Sequence, residues 1–65
     1  MQAPQYFYSA AQGRAALHKG DEARLVTIGK FKTEREALQA CKAHYAKACA
    51  AARNFDRPEP VAFFL

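Results

Sequence analysis

The sequence predicts an α+β fold, a small antiparallel sheet of two to three strands packed on one long helix. Three observations predict it. Short aromatic and β-branched runs punctuated by glycine fill the first half of the chain. A capping box in the second half opens an apolar stripe with steps of three and four. With 65 residues there is room for a single domain spanning 1–65, whose core is one layer between helix and sheet. That layer is thin, because the 51% hydrophobic content is inflated by fifteen alanines, each burying little area.

The first strand is expected over residues 5–11, around Tyr6-Phe7-Tyr8, since consecutive aromatics suit a pleated surface. Gln12-Gly13 reads as a turn. A second strand follows over 14–19, weaker because Ala15-Ala16-Leu17 suits a helix equally well. Gly20-Asp21-Glu22 breaks the chain before the strongest strand, 23–31, built on Leu25-Val26-Thr27-Ile28. Alternation divides this strand into Arg24, Val26, Ile28 and Lys30 on one face and Leu25, Thr27, Gly29 and Phe31 on the other. If the second set lies under the helix, Arg24 and Lys30 project outward together.

The helix is expected over 33–53. Thr33 is an N-cap residue and Glu36 stands three positions later, so each can satisfy a backbone N–H the other leaves free. Glu34 and Glu36 favour the positive end of the helix dipole, while Lys47 and Arg53 lie toward the negative end. Leu38, Cys41, Tyr45, Ala48, Cys49 and Ala52 draw the buried stripe. The expected core is Phe7, Leu25, Phe31, Leu38, Cys41, Tyr45 and Cys49. After Pro58 and Pro60 comes an apolar tail, 61–65, which either joins the sheet as a last strand, the favoured outcome, or serves as an interaction surface.

Few catalytic patterns are available. Cys41, His44 and Cys49 give half of a zinc pattern on one helix, and both thiols fall on the apolar stripe, where they behave as small hydrophobes. Eight helical residues separate Cys41 from Cys49 by about 12 Å, too far for a disulfide. Ser9, His18, Cys41 and His44 form no nucleophile–base pattern, and Gly13, Gly20 and Gly29 form no phosphate loop. The expectation is a binding protein with no enzymatic activity, no cofactor and no metal. The first five residues lack the basic region and apolar run of a secretory signal, and no segment approaches the length of a membrane span, so a cytoplasmic protein with reduced thiols and no membrane partner is expected.

Charge narrows the partner. Ten Lys and Arg against six Asp and Glu leave a net +4, which makes nucleic acid a physical candidate. Arg14, Arg24, Lys30 and Lys32 fall in the strand region and are the expected nucleic-acid contacts. Tyr6 and Tyr8 share one face of their strand and could stack on bases, and with Phe63 and Phe64 they are the expected partner-binding aromatics.

The run Ile28-Gly29-Lys30-Phe31-Lys32-Thr33-Glu34-Arg35-Glu36-Ala37-Leu38-Gln39-Ala40 resembles the strand-to-helix junction of the Apetala/ethylene-response-factor type DNA-binding domain, with Gly29, Phe31, Thr33, Glu36, Ala37 and Ala40 matching. In outline the chain is also similar to the arm-binding domains of tyrosine integrases. The resemblance implies three antiparallel strands, a helix across one face, and DNA read by an exposed basic sheet through Arg14, Arg24 and Lys30. The rival expectation is a protein-binding inhibitor or adaptor, of the kind phages and mobile elements encode in single short genes, acting on a host protein complex such as a defence complex. Homodimerisation through the C-terminal strand fits either role.

Overall fold

The computed structural model describes residues 3–20 and 24–65. The expected turn at Asp21-Glu22 and the expected start of the third strand at Ala23 lie outside the described residues. The elements are β1 (Gln5–Ser9), β2 (Arg14–Lys19), β3 (Leu25–Lys30), α1 (Glu34–Asn54) and β4 (Val61–Phe64), with a 3-10 turn at Ala11–Gly13. The strands form one sheet in the order β3-β2-β1-β4. β1, β2 and β3 pair antiparallel as a meander, whereas β4 lies parallel to β1. The fold is therefore α+β as expected, and the C-terminal tail is a strand, but the sheet is four-stranded and mixed rather than wholly antiparallel.

The crossover explains the mixture. β3 and β4 occupy opposite edges, three strand spacings or about 14 Å apart. The 21-residue α1, about 31 Å long, carries the chain across the sheet and returns it in the parallel sense, which a tight turn cannot do. Its start is set locally. Thr33 is extended and its Oγ1 accepts from the Glu36 N–H at 3.2 Å, while the Glu36 carboxylate accepts from the backbone N–H of Lys32 at 3.2 Å. Its end is a Schellman turn: Asp56 adopts φ 54°, and the N–H groups of Asp56 and Arg57 reach back to the carbonyls of Arg53 and Ala52. The Tyr45 hydroxyl then donates to the Pro60 carbonyl at 2.8 Å, which anchors the linker where β4 begins.

The core is smaller than expected and built on different residues. Tyr8, Leu17, Ala15, Ala37 and Cys41 are its buried centre, with Ala10 beside them. Cys41 and Tyr45 belong where the stripe places them, Cys41 fully buried and Tyr45 packed against the cluster with Leu38. Cys49 is half-buried. Phe7, Leu25 and Phe31 do not belong to this cluster, and Leu25 is 58% exposed. The reason is the phase of the strands. Tyr6 and Tyr8 on β1, Leu17 on β2, and Val26 and Ile28 on β3 face α1, which turns Phe7 and Leu25 to the opposite side.

One polar pair lies within this layer. The Tyr8 hydroxyl and His44 Nδ1 are 3.0 Å apart. Burial, with smaller contributions from Tyr6 and neighbouring groups, pushes the Tyr8 pKa up to about 12, so the phenol keeps its proton, and with His44 as the Nε2–H tautomer it donates to Nδ1. Burial first, then Lys19 and Lys47, holds the His44 pKa below its ordinary value. The unfolded chain thus takes up this proton more readily than the folded one. His44 should contribute full stability above its unfolded pKa, near 6.5, and lose it as pH falls from there through the lower folded pKa. Thermal melts between about pH 7 and pH 5 should show a decline in Tm that His44→Gln, which retains an acceptor for Tyr8, flattens. Parallel profiles for the two proteins would exclude His44 as the source.

Candidate functional site

One face of the sheet is covered by α1 and the other is open. Strand register shows what the open face carries. Phe7 pairs with His18 on β2 and with Phe63 on β4, and His18 pairs with Leu25 on β3. Cross-strand partners point to the same side, so Leu25, His18, Phe7 and Phe63 form a row across all four strands. The Phe7 and Phe63 rings are stacked, with centroids 5.0 Å apart and planes 16° from parallel, and His18 lies 6.3 Å from Phe7 on the other side. Phe63 is 41% exposed.

A β-bulge determines the charge at one end of this face. Ala15 pairs with Gly29 and Ala16 with Thr27, so β3 inserts Ile28 as an extra residue. Strict alternation would send Lys30 to the helix side with Val26 and Ile28. The bulge resets the phase, and Lys30 pairs with Arg14, both exposed on the open face. Lys32 follows, also exposed, beside a shallow depression shared with Lys30, Phe31 and Glu36. Arg24 is exposed at the far end of β3, about 20 Å from Lys30. Three of the expected cations are thus gathered at one end, and Arg24 stands apart from them. None of the described strands contains an Asp or Glu, while β2 and β3 supply Arg14, Lys19 and Lys30.

The expected aromatic contacts divide between the two faces. Tyr8 is buried at 1% exposure, hydrogen-bonded to His44, and offers no surface to a partner. Tyr6 is half-buried on the helix side, its ring 5.7 Å from the Lys19 ammonium. Phe64 stacks on Tyr8, with centroids 5.3 Å apart, at the exposed margin of the helix side. Only Phe63 lies on the open face. Phe7 and His18 were missed in the sequence because the aromatic run offers two phases. Thr27 between Val26 and Ile28 was the available signal, since its hydroxyl suits the uncovered side of β3.

The chain matches no protein-family model, no curated protein and no solved structure. Among the described residues, no three His, Cys, Asp or Glu side chains come together in a metal-binding group. Among the same residues no helix is long and apolar enough to cross a membrane. The Cys41 thiol is buried, which pushes its pKa up, away from the reactive thiolate.

Proposed function

We propose that this protein is a small non-catalytic binding domain that holds nucleic acid on the open face of its sheet. The observation that carries this reading is the charge of that face. Arg14 and Lys30 stand side by side, Lys32 adjoins them with Glu36 at its border, and none of the described strands contributes a carboxylate to oppose a phosphate chain. The likeness of residues 28–40 to a sheet-plus-helix DNA-binding domain supports the same orientation, with the helix behind and the basic sheet in front.

The test is binding of labelled nucleic acid across a salt series. Wild-type protein should bind at low salt and weaken steeply as salt rises, and Arg14→Glu/Lys30→Glu should abolish binding while the far-ultraviolet circular dichroism is unchanged. The single changes Arg24→Glu and Lys32→Glu should each weaken binding less than the double change. Absence of binding at about 50 mM salt, or a double variant that binds like wild type, would refute the reading.

A second reading, an inhibitor or adaptor for a host protein complex of the kind phages and mobile elements encode, is favoured by β4. This edge strand is apolar throughout, with Val61, Phe63, Phe64 and the adjoining Leu65 all exposed, and it carries no charge or proline to discourage pairing with another strand. Pairing of two copies at this edge would give a homodimer. On that reading Val61→Lys abolishes association, whereas Arg14→Glu/Lys30→Glu leaves it intact.

A further inference from the structure

We infer that the ligand of the open face is single-stranded nucleic acid, its bases extending the ring stack from Phe63 and His18 at either side of Phe7 while its phosphates run toward Arg14 and Lys30. This rests on the nucleic-acid reading and specifies its substrate. A duplex already stacks its bases on one another and presents only edges, which are read by Arg, Lys, Asn or Gln side chains. The row across this face has none of these. It offers a short ring stack instead: Phe7 has Phe63 against one face and His18 near the other, so a base adds at the ends of the stack, on Phe63, 41% exposed on the edge strand, and on His18, with Leu25 beyond it. Base–aromatic stacking requires unpaired bases and tolerates any sequence, because every base has a π-face. The cation pair lies four residues along β2 from His18, about 13 Å from the ring row, so phosphates and bases of one strand meet different parts of the same surface. The described acidic residues, Glu34, Glu36, Asp56 and Glu59, lie outside the strands, and of these Glu36 borders the cation end beside Lys30 and Lys32.

The experiment compares oligo-dT and oligo-U of about 15 nucleotides with a hairpin duplex of equal length, by fluorescence anisotropy at about 50 mM salt. Both single strands should bind at least about ten-fold more tightly than the duplex. Phe63→Leu, which keeps an apolar side chain but removes the ring, should weaken single-strand binding about ten-fold with the salt dependence unchanged, and Phe63→Tyr should restore it. His18→Ala, on the far side of Phe7, provides an independent loss should Phe63→Leu lower the melting temperature. The ratio of oligo-U to oligo-dT affinity identifies which natural polymer is the source. Equal binding of duplex and single strand, with Phe63→Leu and His18→Ala neutral, overturns the single-strand inference and leaves the basic-face reading standing. No binding of any of the three overturns both.

Discussion

Leu17→Ala is expected to destabilise the domain by about 2–5 kcal/mol, the range for truncating a buried leucine. Leu17 is 1% exposed on β2, an interior strand, between Tyr8 on β1 and Val26 on β3 and beneath α1. A 65-residue domain has about 3–10 kcal/mol of total stability, so this one change removes a large share of it. The thermal midpoint should drop by about 10–30 °C, and the variant should be partly unfolded at physiological temperature. Leu25→Ala is the internal comparison, because Leu25 lies on the open face and should cost well under about 1 kcal/mol. A Leu25 variant less stable than the Leu17 variant would mean that the helix covers the opposite face.

Gly13→Ala should be nearly as damaging, for a different reason. Gly13 has φ 72°, a left-handed conformation that costs a residue with a Cβ about 1–3 kcal/mol. A Cβ there would also overlap the Phe31 carbonyl oxygen, a backbone atom that cannot swing aside. The Gly13 carbonyl accepts from the Phe31 N–H at 2.7 Å, so the two segments cannot separate without losing this bond. The turn is tied to the helix as well, through the Gln12 N–H and the Glu34 carboxylate at 3.4 Å. Gly29→Ala is the control. A Cβ at Gly29 would press only on the Phe31 ring, a partly exposed side chain that can swing aside, and its cost should be much smaller. Denaturant unfolding of the two variants separates the cases, and equal losses would exclude the backbone account of Gly13.

Much of the fold is legible in the sequence where the determinant is local. Thr33 and Glu36 announce the helix because a cap is made by residues three apart, and the observed helix begins at Glu34 with those bonds in place. The apolar stripe through Cys41 and Tyr45 follows from helical periodicity, and the tail's apolar, strand-suited residues are the local signal for β4, Val61–Phe64, of which Ala62 packs against the core. The phase of the strands was not legible. Tyr6-Phe7-Tyr8 has an aromatic at every position, so either parity offers a plausible buried set, and the choice between Tyr8 and Phe7 awaits the helix. Phe7 and Leu25, expected in the core, lie outside the buried cluster on that account, and Phe31 lies outside it beyond the end of β3.

The sequence by itself determined the class of fold, the start of the helix and the basic balance of the chain, because capping, periodicity and composition act over a few residues or none. The tertiary structure decided which face of each strand is open, since a strand's two sides become inequivalent only when something covers one. It also decided that Lys30 joins Arg14, because a bulge between β2 and β3 exists only in their pairing. The parallel placement of β4 beside β1, which sets Phe63 against Phe7, came from the reach of α1 across the sheet. The candidate site is assembled from four strands distant in sequence, so its geometry depended on long-range pairing.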